Sequence, residues 1–382
     1  MLRSVSGTTI STAGGDNNPA HVLLQDLRLA CGPAGALSLS QGSVELSDVL
    51  VQDCDELTAV ARAALDASGG ALHLDGVTCE GSAGYARLAS VRGGTLEAHN
   101  LIVEGGTWAG GAVLSVESGT LSLEDVRFAD LAASGPLVRG QDLEQADLTR
   151  VEVACSTASA PLIDLSGSSL ELTALRAWKS AVRAGEPLVR LEGPTELAFA
   201  TLLGSGDDTV LEHAGTGTIT ALASDGGVLD LSASEATVSW SVLGGGAQAS
   251  GQGVLLESPA LWSISPADRC DGDRVGPTPG GNLDDTGPPA LRDADGTPAD
   301  VGATGGPEGW PFYLDGDADG DGFLSLAAGG QDCDDLDPDT WPGAPEDLSA
   351  IDRNCDGYAD PTDPLTLRGC SAAPAAAGLP LL

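Results

Sequence analysis

The chain has 382 residues, with 17 Lys plus Arg against 56 Asp plus Glu and a formal net charge of −39. A chain this acidic does not wrap nucleic acid or an anionic membrane surface by counterion release; it attracts cations. Hydrophobic residues reach 42% but aromatics only 3%, so the expected core is Val, Leu, Ile and Ala.

From the N-terminus, the opening MLRSVSGTTI lacks the apolar stretch of a signal peptide. A pattern then recurs: apolar, any, apolar, two polar or turn residues, apolar, any, apolar. It reads Val22–Leu24–Leu27–Leu29, Val44–Leu46–Val49–Val51, Leu72–Leu74–Val77–Cys79 and Leu96–Ala98–Leu101–Val103. It continues as Leu121–Leu123–Val126–Phe128, Ala146–Leu148–Val151–Val153, Leu170–Leu172–Leu175–Ala177 and, less regularly, Leu197–Phe199–Leu202. First anchors at 22, 44, 72, 96, 121, 146, 170 and 197 give spacings of 22 to 28 residues.

Each unit holds two stretches of period-2 alternation, the mark of a strand, and the two-residue break flips the inward face. A second run, such as Ala112–Val116, Pro136–Arg139, Pro161–Leu165 and Pro187–Leu191, precedes several units. Two or three strands in a turn of roughly 24 residues describe a parallel β-helix, each coil stacked at about 4.8 Å on the last. A β-sandwich does not need one register eight times running. Leucine-rich repeats require Asn where Leu27 and Val49 stand. Weaker echoes carry the coil to about residue 258.

This stretch resembles the right-handed β-helix, or pectin-lyase-like, superfamily. The closing run Leu291–Pro307 (LRDADGTPADVGATGGP) is similar to the tail that ends many bacterial β-helix domains, with Thr304 where the family form has an aromatic. The resemblance implies a fold rather than an activity. Family lyases and hydrolases set acidic residues with Lys or Arg on one exposed face. Here the column before the third anchor reads Asp26, Asp48, Gly76, Asn100, Asp125, Arg150 and Ala174, which is what a tight bend selects. His73 falls at an outward strand position and His99 in the bend, and both read as solvated surface. Lys179 is the only lysine, too little for the basic cluster expected around an anionic polysaccharide. No catalytic residue is assigned.

After residue 310 the composition changes. From Asp315 to Asp363 there are fourteen Asp and one Glu against Arg353. Asp317–Ala–Asp319–Gly–Asp321–Gly322–Phe323 opens like a calcium loop: alternate carboxylates turn to one point, glycine permits the sharp turn, and Phe323 supplies a carbonyl. Asp315, Asp332, Asp334 and Asp335 are the candidates for its missing ligand. The second loop is fuller, with Asp352, Asn354, Asp356, Asp360 and Asp363 at ligand spacing, Gly357 sixth and the Tyr358 carbonyl seventh.

The segment from Tyr313 through Gly357 resembles the MopE-like metal-binding repeat of bacterial secreted proteins. That resemblance places Cys333 and Cys355 at the paired positions of a disulfide, and its family label says copper. The segment has no His and no Met, and hard carboxylate oxygen selects Ca²⁺ over copper. Cys31 and Cys54 sit where neighbouring coils could join them, whereas Cys79 takes an inward position as a buried thiol. Disulfides imply an oxidising compartment. The tail from Arg368 to Leu382 resembles the opening of myxobacterial-type sorting tails, which continue into an apolar helix and an Arg cluster, so the chain reads as truncated.

The expectation is therefore an all-β chain in four parts. These are a right-handed parallel β-helix over 1–258, a closing segment and linker over 259–312, an Asp-rich module over 313–365 and a tail over 366–382. Its expected function is that of a non-enzymatic extracellular or cell-surface protein of bacterial, outer-membrane-anchored type, stalk-like or adhesive. Its expected partners are divalent cations and a polysaccharide or cell-surface ligand, with no nucleic acid and no transmembrane helix. A polysaccharide lyase or glycoside hydrolase is the alternative, and a metal-scavenging surface protein the second.

Overall fold

The computed structural model describes residues 3–5, 10–12, 21–30, 36–52, 63–84, 87–203, 209–225, 228–239, 241–244 and 248–250 of the repeat region. Beyond it, residues 287–288, 291–292, 299, 301–303, 305–307, 333, 340 and 353–355 are described. The chain divides into two compact units, Met1–Cys270 with Pro277–Trp310, and Asp271–Gly276 with Pro311–Leu382. Among the described residues there is no helix, and none long and apolar enough to cross a membrane.

The first unit is a parallel β-solenoid: among the described residues every strand pairing is parallel and joins one coil to the next. One turn shows how the pattern folds. Strand Leu114–Glu117 leads through Ser118–Gly119 into Thr120–Ala129, and a second bend at Asp130 leads into Ala132–Ala133. Within Thr120–Ala129, Leu121 and Leu123 face inward, Asp125 bends the chain, and Val126 and Phe128 face inward again. Those side chains register with Ala146, Leu148, Val151 and Val153 of the next coil, as the repeat predicts.

Stacking of identical positions builds the core. Leu46, Leu74, Ala98, Leu123, Leu148, Leu172, Leu197, Ile219 and Val238 lie in one continuous register and are all buried. The core is aliphatic, as composition requires, with Trp108 and Phe128 among its few aromatics.

The bend column is left-handed at every rung. Asp26, Asp48, Gly76, Asn100, Asp125, Arg150, Ala174, Phe199 and Ala221 have φ between 52° and 60°. Gly, Asn and Asp adopt this conformation readily; for the others it costs about 1–2 kcal/mol each. Stacking offsets that cost, because amides in the bend donate across the rung, as Asn100 N does to Glu124 O and Ala174 N to Ala198 O. A second left-handed column, Gly81, Gly105, Asp130, Cys155 and Lys179, makes the next corner.

The eighth unit departs from the expected register. Leu170 pairs with Thr195 and Leu172 with Leu197, so the first anchor is Thr195 rather than Leu197. Phe199 is not an inward anchor but the bend residue, with φ of 53°. A buried Thr in an apolar column concealed the true period. The reason an aromatic is tolerated at the bend lies in the closing segment. Ala299 packs on Phe199 and Ala221, Gly306 lies against the Phe199 ring, and Gly302 N donates to Ala221 O.

Candidate functional site

Of the predicted metal ligands, only Asn354 lies among the described residues. Asp315, Asp317, Asp319, Asp321, Phe323, Asp332, Asp334, Asp335, Asp352, Asp356, Tyr358, Asp360 and Asp363 lie outside them, as do Cys31 and Cys54. The bridge implied by the motif is formed: Cys333 and Cys355 are disulfide-bonded, with Cα atoms 5.5 Å apart. Closing that 22-residue separation removes about 3 kcal/mol of unfolded-state entropy in the loop-closure account. Cys79 is a buried free thiol, as expected, and burial pushes it up to about 12, so it is not a nucleophile. Cys155 is also disulfide-bonded.

On the solenoid, three outward-facing groups of charge stand out. The first crosses the bend-side face. His73 Nδ1 lies 2.7 Å from Glu97 Oε2, and Glu97 Oε1 lies 3.2 Å from His99 Nε2. His99 Nδ1 is in turn 3.0 Å from Glu124 Oε2. Arg150 Nη2 donates to Glu124 Oε1 and Asp125 Oδ2, each at 2.8 Å, and its Nε donates to Asp125 Oδ1. His99 is the last strand residue, with Asn100 in the bend, so it is one position earlier than the sequence pattern placed it. The two histidines are not bare surface; each holds a carboxylate. Glu97 lies below its ordinary value, chiefly because His99 hydrogen-bonds to it. His99 is raised: burial pushes it down, but Glu97 and Glu124 more than offset that.

A second ladder runs along the preceding strands, in the register Arg139, Asp164, Arg190, Glu212. Arg190 Nε donates to Glu212 at 3.1 Å and its Nη2 to Glu186 at 3.2 Å. Burial raises the Asp164 carboxyl, Arg190 and Arg139 offset part of this, and Glu186 and Glu212 add to it.

The third group is buried. Glu152 and Arg176 register on adjacent rungs and are each 2% exposed, although their strand positions face away from the core. Arg176 Nη2 lies 3.2 Å from Glu152 Oε1, and Arg127 Nε lies 3.7 Å from Oε2. Burial pushes the Glu152 carboxyl up, but Arg176, Arg127 and the Trp178 hydrogen bond win and hold it below its ordinary value. One rung further along this face, Ala303 N donates to Thr201 Oγ1 at 2.9 Å, so the closing segment covers it there.

His73, His99, Asp125 and Arg150 stand out singly in the sequence, but their pairing does not, although its signal is present. The cross-rung pairs are one repeat apart: 73 and 97, 99 and 124, 125 and 150, 152 and 176. Aligning the outward columns as carefully as the inward ones would have found them. Among the described residues, no three of His, Cys, Asp or Glu converge as a metal-binding group. Compared with protein-family models, curated proteins and solved structures, the chain shows no match in any of the three.

Proposed function

We propose that the chain is a non-enzymatic bacterial surface protein, in which a right-handed, pectin-lyase-like β-helix serves as stalk or adhesive surface. Its C-terminal MopE-like module binds Ca²⁺ through the Asp317 and Asp352 loops. The protein is exported to an oxidising compartment and held at the cell surface, where divalent cations and a cell-surface or polysaccharide ligand are its partners.

One observation carries the stalk reading: the outward charges of the solenoid pair with one another across rungs. Glu97, Glu124, Asp125, Glu152 and Glu212 each contact a His or Arg from another rung or strand. Groups engaged in this way join coils and are not poised toward a substrate. The calcium reading rests on the oxygen spacing of the two loops and on the Cys333–Cys355 bridge, which ties the halves of the motif together.

A second reading, a polysaccharide-degrading enzyme, is favoured by Asp164. Its raised carboxyl shares an outward column with Glu212, two rungs away in register. Incubating the full chain with a panel of neutral and acidic polysaccharides separates the two. The stalk reading expects no new reducing ends and no unsaturated products. Products that vanish in Asp164→Asn would establish the enzyme instead.

A further inference from the structure

We propose that His99 is a pH-dependent clasp between two rungs of the outer face: as an imidazolium it bridges Glu97 and Glu124, and on losing its proton it releases one of them. The geometry suits the charged form. Both ring nitrogens lie within hydrogen-bond distance of a carboxylate oxygen, Nε2 at 3.2 Å and Nδ1 at 3.0 Å. A neutral imidazole has one N–H and one lone pair, so it can donate to only one of the two. Deprotonation would set that lone pair against a carboxylate oxygen, and the ring would turn from it.

The neighbours decide what the release does. On its own strand His99 faces Glu97, and on the strand before it meets Asp75 in register and His73 through Glu97. From the following strands come Glu124, Asp125 and Arg150. Glu97 keeps His73 on its second oxygen and Glu124 keeps Arg150 on its own, so neither carboxylate collapses when the clasp opens. What is lost is the middle link of a chain that runs from His73 to Asp125, and the face gains one negative charge. His99 and its partners are about 38–41% exposed, so the proton exchanges freely with solvent.

His99 is raised in the folded chain. Its contribution to stability is therefore complete below the unfolded histidine value and is lost as pH rises through the higher folded value.

The test uses the full chain with ¹⁵N-labelled histidine; four histidines make the spectrum assignable by single substitutions. His99 should titrate above free histidine, and Glu124→Gln should bring that value down. The difference in melting temperature between the parent and His99→Gln should be largest in mildly acidic buffer and shrink as pH rises through the raised folded value. A His99 that titrates at or below free histidine, or a melting difference that does not change with pH, would overturn the clasp.

Discussion

Trp178 Nε1 donates a 2.8 Å hydrogen bond to Glu152 Oε1 across one rung, on the side of the strands that faces away from the core. With Arg176 and Arg127 on the same carboxylate, this is an ion-pair network built into a covered face of the solenoid.

Glu152→Gln would leave Arg176 buried without its counter-charge. Breaking a buried pair from one side costs about 3–5 kcal/mol, and denaturant unfolding should show a loss of that order. Because the Glu152 carboxyl is held below its ordinary value, its contribution is present above about pH 4.3, the unfolded value. It is lost as pH falls through the lower folded value. An unfolding free energy equal to that of the parent would mean that the network contributes nothing.

Val126 is fully buried and in register with Val151. Val126→Asp would place an unpaired charge between coils, at a cost on the order of 3–5 kcal/mol. Thermal melting of the variant at neutral pH checks this; an unchanged midpoint is the contrary result.

Gly93 and Gly94 are adjacent but constrained differently. A methyl on Gly94 would run into the Gly70 carbonyl, one member of a backbone stack that continues from Gly42 to Gly119. Gly93 has φ of +62° with open space around its Cβ direction. Gly94→Ala should therefore cost about 3 kcal/mol, because backbone must move, and Gly93→Ala about 1 kcal/mol, for local strain alone. Urea unfolding of the two variants should rank them in that order.

Period, strand pairing and bend were readable in advance because identical positions stack: a coil that must cover its neighbour repeats the same apolar letters. Thr195 broke the spelling without breaking the packing, so the eighth unit was mis-registered. Phe199 reads as an inward anchor in sequence because its burial at the bend depends on Ala299 and Gly306, a hundred residues away. Burial of Glu152 and Arg176 was invisible for a related reason, since alternation tells which way a side chain points and not whether something lies over it. The Asp loops carry the oxygen spacing expected of ligands, but the expected ligands other than Asn354 lie outside the described residues.

His213 is a core residue, 1% exposed and in register with Leu191. Its Nδ1 meets Ser234 Oγ at 2.7 Å, and its Nε2 has no hydrogen-bond partner among the described residues. Burial lowers its pKa, with a backbone hydrogen bond at Gly193 offsetting part of the shift. A depressed histidine contributes fully above the unfolded value near pH 6.5, and stability falls as pH drops through the lower folded value. The stability difference between the parent and His213→Leu should therefore move in favour of the variant as pH falls below about 6.5. A difference that stays flat over that range would show that His213 is not held neutral.

Calcium titration of the full chain by calorimetry, with Cys333–Cys355 intact, tests the central claim most directly. In the calcium-free chain, repulsion among fourteen Asp and one Glu from Asp315 to Asp363 works against order, and bound cations remove it. Saturable Ca²⁺ binding should appear, with Mg²⁺ weaker because it holds its waters. Asp352→Asn together with Asp356→Asn should remove most of the second site and leave melting of the solenoid unchanged. Absence of Ca²⁺ binding at millimolar concentration, or tighter binding of Cu²⁺, would contradict the account.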